Sequence, residues 1–223
     1  MAFKVIKENI LKDNDKTASK IRSSLKEKKV FMMNMISSPG AGKTSLLEKA
    51  GPLLKKEGIS FTILTGDCFT SRDAERMDAL SLPVVQINTG NACHIDAGLV
   101  RAALSNVEID GLDLVIVENV GNLVCPAEFD IGEDEKVALL STAEGHDKPE
   151  KYPLLIQESE VALINKTDLL EHVDFDMRYA EKSLCTVNPG IKIIRMSCKT
   201  GEGIDNFIEW VKDKIKTKKE QKV

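Results

Sequence analysis

The sequence predicts an α/β fold, a mostly parallel sheet with helices on both faces. Strand-like segments recur at 30–36, 60–64, 84–88, 113–117, 136–141, 160–164 and 191–196, with helix-like segments at 44–57, 72–80, 94–104, 176–186 and 203–217 between most of them. Strands alternating with helices in this way give parallel pairing through crossovers. Several strands are apolar throughout, such as Leu114-Val115-Ile116-Val117 and Val161-Ala162-Leu163-Ile164, as strands covered on both faces must be. The first strand also runs straight into a Gly-rich loop that opens a helix, the setting of a phosphate-binding loop.

A chain of 223 residues that is 42% hydrophobic can fill one large core, and 30% charged residues suit a water-facing surface. Ahead of the first strand, Phe3, Ile6, Ile10 and Leu11, then Ala18, Ile21, Arg22 and Leu25, recur at helical spacing across a polar break at Asp13 to Asp15. Residues 1–29 are therefore expected to form an amphipathic lead-in of one or two helices over 2–28. Residues 30–217 form the main domain, and 218–223 a Lys-rich tail. Lys212 to Lys222 reads as a solvated helix end that frays.

Charge and composition exclude several classes. A net charge of −4 gives no reason for nucleic-acid binding. No apolar run approaches the ~18–20 residues of a membrane span. Met1 to Lys12 has no secretory core, so a cytoplasmic location is expected. Five scattered cysteines do not read as a disulfide framework.

Ser37-Ser38-Pro39-Gly40-Ala41-Gly42-Lys43-Thr44 is the phosphate loop. Its backbone N–H groups and the following helix N-terminus favour phosphate oxygens, and glycine keeps side chains out of the way. Lys43 is expected to neutralise the β and γ phosphates and the Thr44 hydroxyl to ligate Mg²⁺, with Pro39 to Ser45 lining the nucleotide. The usual pattern opens on glycine; this chain has Ser37 there. The loop makes the fold a P-loop NTPase.

Asn165-Lys166-Thr167-Asp168 follows an apolar strand, at the sheet edge where ligands bind. The Asp168 carboxylate can accept from both N1–H and the 2-amino group of guanine; adenine offers neither donor. The nucleotide is therefore GTP or GDP. Ser197-Cys198-Lys199 resembles the Ser-Ala-Lys loop that GTPases place over the base.

Asp67 and Glu118 each end a strand, and Glu118 heads Glu118-Asn119-Val120-Gly121, an acid-x-x-Gly element. An acid there contacts Mg²⁺ directly or through water, and the glycine amide can sense the γ-phosphate. Glu in place of the commoner Asp favours contact through water. No arginine finger is assignable among Arg72, Arg76 and Arg101, so slow hydrolysis is expected.

Cys93 and His94 are adjacent at a predicted helix start, and Cys125 follows the acid-x-x-Gly element. Two thiolates and an imidazole suit Zn²⁺ or Ni²⁺. Spacing alone leaves the other reading open, a buried cysteine with a helix-capping histidine. Cys68, Cys185 and Cys198 read as fillers.

Ser38 to Thr44, Asn88-Thr89-Gly90 with Cys93-His94-Ile95-Asp96-Ala97, Glu118 to Pro126 and Asn165 to Asp168 together resemble the HypB family. Those GTPases assist nickel insertion into [NiFe]-hydrogenases. Glu144-Gly145-His146-Asp147-Lys148-Pro149 and Lys151-Tyr152-Pro153 add to the likeness, which spans about residues 30 to 210. The resemblance implies a signal-recognition-like (SIMIBI) GTPase, a homodimer promoted by GTP, and Cys93, His94 and Cys125 as Zn²⁺ or Ni²⁺ ligands near the subunit interface. It also implies exchange with a HypA-type nickel metallochaperone and delivery to the hydrogenase large subunit. Cys125 lies shortly after Glu118, so a γ-phosphate-driven shift would move a metal ligand. With three His in all and no Cys-rich N-terminus, nickel storage at the N-terminus is not expected. Two readings remain beside this one. A urease accessory G protein would show Cys-Pro-His where this chain has Cys125-Pro126-Ala127. A dimerising regulator would hydrolyse little GTP.

Overall fold

The computed structural model describes residues 6–67, 72–90 and 92–221; the readings that fall on residues 2–5, Cys68 and Asn91 lie outside them. The elements run α1 (Ile6–Glu27), β1 (Phe31–Ser37), α2 (Lys43–Lys56), β2 (Phe61–Asp67), α3 (Arg72–Ala79), β3 (Val84–Asn88), α4 (Ala97–Leu104), β4 (Leu114–Glu118), α5 (Cys125–Glu128) and β5 (Glu135–Ser141). Then come α6 (Lys148–Lys151), α7 (Pro153–Gln157), β6 (Ser159–Asn165), α8 (Met177–Val187), β7 (Lys192–Arg195) and α9 (Ile204–Glu220).

The strands form one seven-stranded sheet in the order β3-β2-β4-β1-β5-β6-β7, with every pair parallel. Parallel pairing brings all the carboxyl ends to one edge, where Ser37, Asp67, Glu118 and Asn165 end their strands. β1 lies between β4 and β5, so the phosphate loop leaves the middle of that edge.

Alternate strand residues feed opposite cores, as a period of two requires. Phe31, Met33 and Met35 pack under α2 and α9, with Leu46, Leu47, Leu54, Phe207 and Trp210. Met32 packs beneath α1 and α4, with Leu25, Val100 and Leu104. Ile36 belongs to a third cluster with Leu123, Ala127 and Leu184. Asn34, wholly buried, breaks the apolar run of β1.

Of the one or two helices expected over 2–28, the described residues form one, α1, which runs on through the polar stretch at Asn14. The Asn14 side chain accepts from Ala97 N–H at 3.0 Å and donates to the Asp130 carbonyl at 2.7 Å. The helix expected from 94 begins at Ala97, since Asp96 caps it by accepting from Leu99 N–H at 2.8 Å. Cys93 and His94 therefore lie in the loop before it. α5, α6 and α7 were not foreseen. The Lys-rich end is neither solvated throughout nor frayed at 218. α9 continues to Glu220, Lys218 is buried against Asp134 at 2.5 Å, and Lys214 bridges Glu135 and Glu160. Among the described residues no helix is long and apolar enough to cross a membrane.

Candidate nucleotide and metal site

At the end of β1 the chain turns through Gly40 and Gly42, both at positive φ (76° and 112°), a conformation that favours glycine. A Cβ on Gly42 would stand 2.3 Å from Asn165 Nδ2. Lys43, nearly buried, donates to Ser37 Oγ at 2.8 Å, so the residue replacing the usual glycine holds the lysine of the loop. Burial lowers the Lys43 pKa, against the pull of Glu118.

A cavity of about 430 Å³ opens over this loop, lined by Pro39, Gly40, Gly42, Lys43, Thr44 and Ser45 on one side. Asp67, Glu118 and Gly121 line the other side. Thr44 Oγ1 donates to Glu118 Oε1 at 2.6 Å and Thr65 Oγ1 to Oε2 at 3.0 Å. Burial raises the Glu118 pKa, while the Thr44 bond and Lys43 oppose it. The oxygens of Thr44, Asp67 and Glu118 are the hard donors that Mg²⁺ takes. Gly121 packs on the phosphate loop, where a Cβ would meet Pro39 Cα at 2.9 Å.

A second cavity, about 650 Å³, shares Gly40, Gly42 and Ser45 with the first and continues past Asn165, Lys166, Asp168, Cys198 and Lys199. Asn165 Nδ2 donates to the Ala41 carbonyl at 2.8 Å, and its Oδ1 accepts from Cys198 N–H at 3.1 Å. Lys166, at φ 64°, donates to the Gly40 carbonyl at 2.7 Å. Asp168 Oδ1 accepts from Ser197 Oγ at 2.5 Å, and Lys199 Nζ stands 3.9 Å from Oδ2. Burial pushes the Cys198 thiol up to about 11, so it stays protonated and serves as filler behind the loop.

The ligating atoms of Cys93, His94 and Cys125 all lie within 4.8 Å of one another. Cys93 Sγ is 3.6 Å from His94 Nδ1. A tetrahedral ion bonded to sulfur at ~2.3 Å and nitrogen at ~2.0 Å separates them by about the same distance. Burial lowers the His94 pKa against Asp96 and Glu128, favouring the neutral imidazole that binds a metal. The donor set fits Zn²⁺ or Ni²⁺.

Sequence reasoning missed four contributors. Thr65 holds the second oxygen of Glu118. Arg76, read only as a surface or helix-pair charge, also lines the phosphate cavity, its guanidinium held by Glu48 at 2.7 Å and Asp73 at 3.3 Å. The Phe129 ring lies against His94 with centroids 3.9 Å apart. Asn119 accepts from Ile95 N–H at 3.0 Å. The one sequence signal that could have pointed to such contacts is Asn34, a polar residue inside an apolar run.

A parallel sheet with a phosphate loop at its centre and a guanine-type recognition sequence at the same edge defines a SIMIBI-class P-loop GTPase fold. At the level of fold alone, the chain matches the signal recognition particle receptor FtsY of Elizabethkingia anophelis (TM-score 0.55, 14% identity, covering 91% of this chain and 72% of that one). The family model for the CobW/HypB/UreG nucleotide-binding domain matches residues 31–195. Hydrogenase maturation factor HypB of Azotobacter chroococcum is 46% identical over 92% of this chain and 67% of its own length. The crystal structure of Helicobacter pylori HypB in complex with nickel superposes with a TM-score of 0.87 at 31% identity, covering 92% of this chain and 96% of that one. The chain belongs to the CobW/HypB/UreG family, and within it to the HypB hydrogenase maturation factors.

Proposed function

We propose that the chain binds GTP with Mg²⁺, hydrolyses it slowly to GDP and phosphate, and couples nucleotide state to a Ni²⁺ or Zn²⁺ held by Cys93, His94 and Cys125. Asp168 pairs with guanine N1–H and the 2-amino group, and Ser197 holds that carboxylate in place. Lys43 leaves Ser37 Oγ for the β and γ phosphate oxygens. Thr44, Asp67 and Glu118 supply the oxygens for Mg²⁺, which when bound neutralises phosphate charge. Glu118 orients water at the γ-phosphate and the Gly121 amide contacts that group. Arg76, the α3 guanidinium that lines the cavity over the loop, is engaged by Glu48 and Asp73, which supports slow turnover.

In this reading the ion is cargo on its way into a hydrogenase. GTP promotes a homodimer, a HypA-type metallochaperone exchanges nickel with it, and the hydrogenase large subunit receives the metal. Val124, 51% exposed immediately before Cys125, supports an apolar surface that an assembly covers beside the ion.

One observation carries the proposal: two thiol sulfurs and an imidazole nitrogen meet within 4.8 Å, on loops that Asn119 and Asn122 tie to the end of the strand bearing Glu118. The test is metal content and single-turnover GTP hydrolysis on purified protein. Wild type retains about one ion per chain and turns over GTP in preference to ATP, whereas Lys43→Ala loses turnover. Metal-free wild type, or wild-type turnover in Lys43→Ala, refutes the reading.

A further inference from the structure

Asn34 occupies a position in β1 where alternation calls for an apolar residue, and it is fully buried. Its neighbours account for it. Asn34 Nδ2 donates to Glu133 Oε1 at 3.1 Å, and its Oδ1 accepts from Asn119 Nδ2 at 3.1 Å. Asn119, 1% exposed, uses its own Oδ1 to accept from Ile95 N–H at 3.0 Å and from Val120 N–H at 2.9 Å. On the far side, Glu133 faces Lys136 Nζ at 3.9 Å, and Lys136 donates to the Ala127 carbonyl at 2.8 Å.

This buried network touches three functional segments at once. Asn119 follows Glu118, the acid facing Thr44 across the phosphate cavity. Ile95 follows His94, and the N–H that Asn119 accepts belongs to the His94–Ile95 peptide plane. Because that plane is rigid, tilting it turns the His94 main chain directly. Ala127 lies in α5, the short helix that Cys125 opens. A second bridge lies nearby, where Asn122 Nδ2 donates to the Cys93 carbonyl at 3.2 Å.

A buried polar group left without partners costs about 1–3 kcal/mol, so such a network holds its geometry firmly and displacement of one member passes to the next. Gly121 rests on Pro39 of the phosphate loop, so the segment 118–122 meets the nucleotide site at one end and the metal loop at the other.

We infer that Asn119, seconded by Asn122, is the positioning residue that carries nucleotide state from the Glu118 segment to Cys93 and His94. Asn34 and Glu133 fix which way its amide points. The inference rests on the proposed metal site and assigns the coupling to named side chains within it.

The test titrates Ni²⁺ and Zn²⁺ into full-length protein saturated with GDP–Mg²⁺ or with a non-hydrolysable GTP analogue and Mg²⁺, and takes the ratio of the two metal affinities. Coupling of this kind gives a ratio of about fivefold or more in wild type. In Asn119→Ala the ratio falls to within about twofold of unity while metal still binds at Cys93, His94 and Cys125. Asn122→Ala, whose side chain lies nearer the surface, lowers the ratio part of the way and decides the matter if Asn119→Ala does not fold. A ratio preserved in the folded variants overturns the inference and leaves the metal site standing. Equal weakening in both nucleotide states overturns it too, since a purely structural role predicts that. Wild type that binds no metal, with Cys125→Ala indistinguishable from it, sinks the underlying site and this assignment together.

Discussion

Asn165 reaches back across the chain to Ala41, its amide nitrogen 2.8 Å from that carbonyl oxygen. The strand end proposed to recognise the base thus shapes the loop proposed to recognise phosphate. Gly42 must be glycine for the two to approach, because a Cβ there would lie 2.3 Å from the Asn165 nitrogen. Asn165→Ala strands the Ala41 carbonyl and the Cys198 amide, at about 1–3 kcal/mol for a buried unpaired group. GDP and GTP affinities should both fall about 5- to 150-fold by calorimetry.

Asp168→Asn should exchange one preference for another. An amide cannot accept from both guanine donors, but its NH₂ can donate to the 2-oxo group of xanthine. GDP affinity is expected to drop about 10- to 100-fold while XDP affinity rises. Competition calorimetry with the two diphosphates reads both changes.

Cys125→Ala should weaken Ni²⁺ and Zn²⁺ binding by at least about tenfold, since even outer-shell changes cost that much at metal sites. GDP affinity should hold, because Cys125 does not line either nucleotide cavity. Titrations identical to wild type would remove Cys125 from the ligand set.

Glu135 gives a pH prediction away from the site. Burial, with the neighbouring Glu160, raises its pKa from 4.5 to about 7, partly offset by Lys214. A carboxyl group raised in the folded state favours folding at low pH, and that contribution is lost as pH climbs from about 4.5 through about 7. Glu135→Gln keeps an acceptor for Lys214 and removes the charge. Its Tm should exceed wild type by roughly 1–3 °C at pH 8 and match it at pH 4.5 or below. An equal gain at both values would assign the effect to packing.

The sheet was legible because its strands are apolar runs cut off by Gly, Asn or Asp, a pattern that needs no tertiary information. The residues proposed to hold nucleotide could be named from sequence because each motif is contiguous, and the structure brings those motifs to one pair of adjoining cavities. What escaped was set by distant partners. The register of α4 depended on Asp96 acting as a cap, and nothing local separated it from a helix starting at His94. Ser37 read as a defect until Lys43 folded onto it. Arg76 read as surface charge because the cavity it lines is assembled from β1, β2 and β4. Asn119 looked like one letter of a switch sequence, since its partners lie 24 and 85 residues away.

Asn14 leaves a last consequence. From α1, outside the run of strands that builds the nucleotide fold, it grips Ala97 with one end of its amide and Asp130 with the other. Those two residues lie just beyond His94 and just beyond α5, so one side chain braces both jaws of the thiol–imidazole cradle. In the proposed reading that cradle is steadied from two sides: segment 118–122 meets it from the phosphate loop, and the leading helix holds it from behind.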